Sequence, residues 1–89
     1  MSWTSQTLRT ELFGILKKYV QDTEHELGDR TELVAHLGLD SLAVMEVVAD
    51  VEDRFGLTIE DDDLRALVTV GDVAKAIETR LQVEGRLDG

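Results

Sequence analysis

Fifteen residues bracketed by Asp40 and Gly56 limit this chain more than any other feature. Asp40 has the short carboxylate that caps a helix by accepting from its first free backbone N–H groups. Gly56 is the residue type that closes a helix in the left-handed conformation. Taking about 100° per residue from Ser41, the side chains of Val44, Val48, Val51 and Phe55 fall between about 280° and 340°. They form one apolar arc with Val47 on its edge. The other side, between about 20° and 140°, holds Leu42, Met45, Glu46, Ala49, Glu52 and Asp53. The spacing predicts a helix over 41–55 with a core face and a mixed apolar and acidic outer face. Ser41 is its first residue, solvated at the positive end of the helix dipole, where phosphate is well tolerated. A serine that receives a phosphate-linked group is the chemistry this placement implies.

Three further helices are predicted around it. Leu8, Leu12, Ile15, Leu16 and Tyr19 form one stripe over 5–20, capped by Thr4 or Ser5. Trp3, just before that cap, is expected to staple onto the first turn. Gly14, inside the stripe, is expected to mark the close approach of another helix. Glu60, Asp61, Asp62 and Asp63 suit a first helical turn, so a short helix is expected over 61–66. Leu64, Leu67 and Val68 follow it. Leu67 to Val70 has strand propensity, but a lone strand has no partner. Thr69 and Asp72 instead form a capping-box-like pair. Val70, Val73, Ala74, Ile77 and Leu81 then give a last helix over 70–82.

The connections are long. Residues 21–40 exceed the usual loop length. Leu27, Leu33, Leu37 and Leu39 are expected to pin this loop across the core, with a turn of helix near Thr31 to Val34. Gly28 and Gly38 permit positive φ. Ile59 is expected to point inward from the 57–59 link. Residues 83–89 read as a frayed tail. The fold class is therefore all-α: a small four-helix bundle with three longer helices and one short one, in a single domain over 1–89 with its core over about 5–82.

Composition narrows the function. A chain of 89 residues has a small core and no room for a deep enclosed active site. With no cysteine, disulfides, thiolate catalysis and cysteine metal sites are excluded, and any thiol chemistry must come from an added cofactor. No apolar run is long enough for a membrane span, and no signal peptide is visible, so the cytoplasm is the expected location. The net charge is −10, and residues 40–64 carry −8 of it, with Arg54 their single base. Nucleic acid and anionic membranes would be repelled, whereas a partner with a basic patch would be steered in. Small exposed apolar residues ringed by carboxylates on the 41–55 helix read as a docking face.

Catalysis and metal binding find little support. Ser41, Asp40 and His36 are the residue types of a hydrolytic triad, but they crowd around one helix start with no oxyanion pocket. His25 and His36 have no second ligand at helical spacing. The acidic run at 60–63 lacks the spacing and the glycine of a calcium loop.

The stretch 37–55 resembles the prosthetic-group site of acyl carrier proteins, which place an Asp-Ser-Leu motif at the start of the second helix. Asp40-Ser41-Leu42 matches it, and the resemblance extends over about residues 8–81. It takes in the first amphipathic helix, the long loop, Phe55-Gly56, Ile59, the acidic third helix and Thr69-Val70. The resemblance implies that a phosphopantetheinyl transferase moves 4′-phosphopantetheine from coenzyme A onto the Ser41 hydroxyl. The thiol of that arm would carry acyl groups as thioesters. It implies that Asp40 helps engage the transferase and its metal. It implies that Leu42, Met45, Glu46, Ala49, Glu52 and Asp53 dock onto basic patches of acyltransferases, ketosynthases or acyl-loading enzymes. On this reading the protein is a monomeric carrier, not a catalyst.

Two departures bear on subtype. Ala43 stands where bacterial fatty-acid carriers usually have a further acid. Gly38-Leu39-Asp40 replaces the Gly-Gly pair typical of peptidyl carriers. The second favours an acyl or polyketide-type carrier over a peptidyl one, and the first favours specialised biosynthesis over housekeeping fatty-acid synthesis, the peptidyl and fatty-acid carriers standing as alternatives. A start at Met1 and an end soon after the last helix lead to the expectation of a free-standing protein, with an excised domain bearing an added Met as the alternative. Two readings of a different kind stand beside it: an unmodified acidic adaptor that shares the docking face, and a regulatory domain phosphorylated on Ser41.

Overall fold

The first helix, α1 (Ser5–Lys17), begins at a reciprocal cap. The Thr7 N–H donates to the Thr4 hydroxyl oxygen at 3.0 Å, and the Thr4 N–H donates to that of Thr7 at 2.8 Å. In the computed structural model, which describes residues 2–20 and 27–88, three helices follow: α2 (Ser41–Phe55), α3 (Asp61–Arg65) and α4 (Val70–Val83). The all-α four-helix expectation holds. Among the described residues no helix is long and apolar enough to cross a membrane. Gln21 to Glu26, including His25, lie outside the described residues.

The helix α1 buries Leu8, Leu12, Ile15 and Leu16, and it stops three residues short of the expected end. The Lys18 and Tyr19 N–H groups bond back to Ile15 and Leu16, a tighter spacing that closes the helix. Tyr19 is half-buried, and its hydroxyl donates to the Asp50 carboxylate of α2. That bond pushes the phenol up to about 12.

The core of α2 is Val47, Val48, Val51 and Phe55. Val44, expected in the centre of the arc, is only half-buried, and Val47, expected on its edge, is 1% exposed. Depth along the bundle outweighs wheel angle here: Val44 lies in the end turn, and Val47 lies one turn further in. The α4 face is as predicted, with Val70, Val73, Ala74, Ile77 and Leu81 buried. Ile59 points inward. The helix α3 ends at Arg65 and buries none of its residues.

The long loop departs most from expectation. Its four leucines do pin it, Leu33 and Leu39 fully and Leu27 and Leu37 partly. The helical turn near Thr31 to Val34 is not formed. Instead Thr31 to Leu33 runs antiparallel to Val68 to Val70, bridged at Glu32 and Thr69. The Leu33 N–H donates to the Val68 carbonyl at 2.9 Å, and the Val70 N–H donates to the Thr31 carbonyl at 2.8 Å. The strand-prone run 67–70 therefore has a partner, supplied by the loop, before α4 begins. The turn comes later, over 33–37. Gly38 has φ 68°, whereas Gly28 has no positive φ.

Gly14 faces open space, so the expected close approach is not there. It occurs at Gly71, which the pattern did not single out. The Gly71 N–H donates to the Asp29 carbonyl at 2.8 Å. A Cβ on Gly71 would lie only 2.8 Å from that same oxygen. Asp29 also meets Arg9 of α1 at 3.0 Å. The same guanidinium pairs with Glu78 of α4, so one side chain ties α1, the loop and α4 together. The hydrogen bond from Arg9 holds the Asp29 carboxyl below its ordinary value.

Residues 84–88 of the expected frayed tail are instead held in place, and Gly89 lies outside the described residues. The Trp3 N–H donates to the Arg86 carbonyl at 2.8 Å, and the Asp88 N–H donates to the Trp3 carbonyl at 2.6 Å. The Arg86 guanidinium donates to the carbonyls of Phe55 and Gly56, groups that the end of α2 leaves without a helical partner. Trp3 packs on Phe55, ring centroids 4.6 Å apart. It belongs to this clasp.

The cap of α4 carries a pH dependence. Asp72 Oδ2 accepts from the N–H groups of Val68 and Thr69, each at 2.9 Å. These bonds, that to Thr69 foremost, hold its carboxyl below the ordinary carboxylate value. Such a group stabilises the fold above its unfolded pKa, and the contribution is lost as pH falls through the folded value. Asp72→Ala is expected to lower stability by about 1–2 kcal/mol at pH 7. The difference from wild type should shrink steadily below about pH 4. Urea unfolding at pH 7 and pH 3 measures both.

Candidate functional site

The residues before Ser41 fix where its hydroxyl emerges. Leu39 is buried, and its N–H donates to the Leu33 carbonyl at 3.1 Å. Asp40 then takes an extended conformation, and its Oδ1 accepts from the Ala43 N–H at 2.8 Å. This is the N-cap that the sequence predicted. Ser41 follows as the first helical residue, and it is exposed. Its hydroxyl sits in water on a rigid helix, beside the free N–H groups of the first turn.

His36 takes no part in a triad. The Glu32 N–H donates to its Nδ1 at 2.8 Å, and its Nε2 lies 4.0 Å from a Glu32 carboxylate oxygen. The ring is engaged with its own loop. Among the described residues no group of three or more histidines and acids is gathered for a metal ion.

The outer face of α2 is assembled from five of the six expected residues in exposed positions. Leu42 is 68% and Met45 52% exposed, and Glu46, Ala49 and Asp53 are also exposed. Glu52 differs. It is half-buried, and its Oε2 accepts from the Ile59 N–H at 3.0 Å. One oxygen of that carboxylate thus holds the 57–59 link and is not available at the surface. Asp50 is likewise occupied by Tyr19. Arg54, the single base of the acidic segment, turns to Glu11 of α1 at 2.8 Å. It does not pair with Glu46 or Asp53, so the face keeps its negative charge.

A phosphate-linked group fits this arrangement. The Ser41 oxygen is open to solvent, the helix N-terminus favours an added negative charge, and the Asp40 carboxylate already has a backbone partner.

Comparison with known proteins agrees. A family profile described as a phosphopantetheine attachment site matches residues 10–77. An acyl carrier protein of Thermotoga maritima is 34% identical over 77 residues, covering 82% of this chain and 95% of that one. One from Rhodococcus erythropolis is 32% identical over 85 residues, covering 96% and 92%. An acyl carrier protein of an Exiguobacterium species is 62% identical over 45 residues, a stretch that spans 51% of this chain and 57% of the relative. The solved structure of an acyl carrier protein from Enterococcus faecalis superposes with a TM-score of 0.73 at 27% identity, covering 86% of this chain and 98% of that one. Family members carry 4′-phosphopantetheine covalently on a serine and act as carriers, not catalysts. With the profile spanning most of its helices, this chain belongs to the acyl carrier protein family.

Proposed function

We propose that this protein carries acyl intermediates as thioesters on a phosphopantetheine arm at Ser41 and presents them to partner enzymes. The observation that carries the reading is an exposed hydroxyl on the first residue of α2, behind an Asp40 cap, within the region matched by the family profile. The Ser41 oxygen would form a bond to the phosphorus of coenzyme A that bears pantetheine. The pyrophosphate bond would break, adenosine 3′,5′-bisphosphate would leave, and the serine proton would pass to a base of the transferase. When attached, the arm supplies the thiol that a cysteine-free chain lacks. Incubation with coenzyme A and a broad-specificity phosphopantetheinyl transferase should raise the intact mass by one phosphopantetheine. An unchanged mass would sink the proposal, and a gain of phosphate alone in cells would favour the regulatory alternative.

The partners are the transferase and acyltransferases, ketosynthases or acyl-loading enzymes with basic patches. Leu42, Met45 and Ala49 would supply contact area, and Glu46 and Asp53, with the outer oxygen of Glu52, would supply charge. The reading places the protein in the cytoplasm as a monomer, supported by a sequence without cysteines and by an apolar core closed within one chain. Ala43 after the modified serine supports polyketide or related specialised biosynthesis. A fatty-acid role is the alternative, since relatives include a protein of Mycolicibacterium smegmatis named a meromycolate extension acyl carrier protein, 32% identical over 78 residues.

Charge-steered docking has a kinetic signature. Glu46→Lys with Asp53→Lys should slow association with a basic partner by about tenfold at low salt and alter dissociation much less. Raising the salt to about 0.5 M should bring the wild type toward the variant. Stopped-flow or surface-based kinetics across a salt series reads this, and a salt-independent association rate would remove the charged rim from the reading.

A further inference from the structure

The Asp72 carboxylate stands at one end of a series of hydrogen bonds whose other end adjoins the Ser41 cap. Its Oδ2 accepts from the Val68 N–H at 2.9 Å. The Val68 carbonyl accepts from the Leu33 N–H at 2.9 Å, and the Leu33 carbonyl accepts from the Leu39 N–H at 3.1 Å. Leu39 leads directly into Asp40 and Ser41. Beside this series, the same Oδ2 holds the Thr69 N–H at 2.9 Å. The neighbouring Val70 N–H bonds to the Thr31 carbonyl at 2.8 Å. The start of α4 and the start of α2 are thus joined through backbone groups, although they are far apart in sequence.

We propose that Asp72 is a positioning residue for Ser41. It fixes the Val68–Thr69 junction against Thr31 to Leu33, and this sets where the 33–39 turn delivers the hydroxyl for phosphopantetheine transfer. The proposal rests on the carrier reading above. Its physical basis is the division of labour within the turn. Leu33 and Leu39 are buried, but apolar burial is non-directional and sets depth more than orientation. Hydrogen bonds depend on angle and set the orientation. Gly38, at φ 68°, gives the turn freedom that these bonds must remove. Replacing the Asp72 carboxylate by a methyl group releases two N–H groups at the junction and lets the register of the turn drift. Group transfer is sensitive to such shifts, because reacting atoms must meet within a fraction of an ångström.

The test measures phosphopantetheine transfer from coenzyme A by a broad-specificity transferase on wild type, Asp72→Ala, Asp72→Asn and Arg86→Ala. Arg86→Ala loosens the opposite end of α2 and leaves the series intact, so it controls for general loss of stability. Asp72→Ala should lower kcat about tenfold. Its KM should stay within about twofold, because the outer face of α2 is unchanged. Asp72→Asn keeps an acceptor oxygen and should restore the rate, and Arg86→Ala should behave as wild type. In amide exchange, Leu33 and Leu39 should lose about tenfold protection in Asp72→Ala relative to Leu12 and Ile15 of α1. If Asp72→Ala does not fold, Asp72→Ser is measured in its place. An unchanged kcat, a loss matched by Arg86→Ala, or equal loss of protection at Leu12 and Ile15 would overturn the proposal. If wild type accepts no phosphopantetheine, the carrier reading fails, and exchange at Leu33 and Leu39 alone decides the positioning role.

Discussion

Ser41→Ala is expected to leave the mass of the chain unchanged under conditions in which wild type gains one phosphopantetheine. The loss is complete because the attacking oxygen is removed. It is also separable from folding. The cap of α2 is the Asp40 carboxylate, bonded to the Ala43 N–H, and Ser41 is an exposed residue beside it. Alanine is a good helix former, and a surface change of this kind alters stability by no more than about 0.5 kcal/mol. Circular dichroism and urea midpoints should therefore match wild type. A residual gain of phosphopantetheine would place the attachment on another side chain. An unmodified adaptor would be betrayed differently, by partner function that survives the same substitution.

Phe55→Ala should have the largest effect on stability, about 3–5 kcal/mol. Phe55 is 1% exposed. It closes the core end of α2, carries the ring of Trp3, and offers its carbonyl to Arg86. Total stability for a domain of this size is about 4–13 kcal/mol, so the variant should be close to unfolded in mild urea. Trp3 is the only tryptophan and gives a direct reading. Its emission should move to the red in Phe55→Ala even before the unfolding transition, because its packing partner is gone. A midpoint within error of wild type would show that the Trp3–Phe55 contact and the core beneath it carry little of the stability.

The helices were legible because their signals were local. Asp40 and Gly56 stand where caps belong, Thr69 and Asp72 form the expected box, and the buried positions of α1 and α4 follow the apolar stripe. Ser41 was legible for the same reason, since its exposure follows from lying one residue after a cap. The failures were non-local. The strand-like run 67–70 has no nearby partner in sequence, and its partner lies in the long loop. Gly71 is required by the Asp29 carbonyl, a contact that no spacing rule reveals. A glycine in the first turn of an otherwise well-capped helix was the available clue. Arg86 lies between two glycines in a stretch without periodicity, so its role at the end of α2 left no pattern to read. Glu52 was assigned to the outer face by wheel angle, whereas its reach to the Ile59 N–H depends on where the next link folds back.

The clasp of Trp3 with Arg86 and Asp88 has a mechanical consequence. It gathers Trp3 and residues 86–88 at the Phe55 end of α2, and fifteen helical residues put that pole roughly 20 Å from Ser41. A tether or surface attached at Trp3 or Asp88 would therefore hold the protein by its base and leave the serine at the far pole, unshadowed by whatever it hangs from.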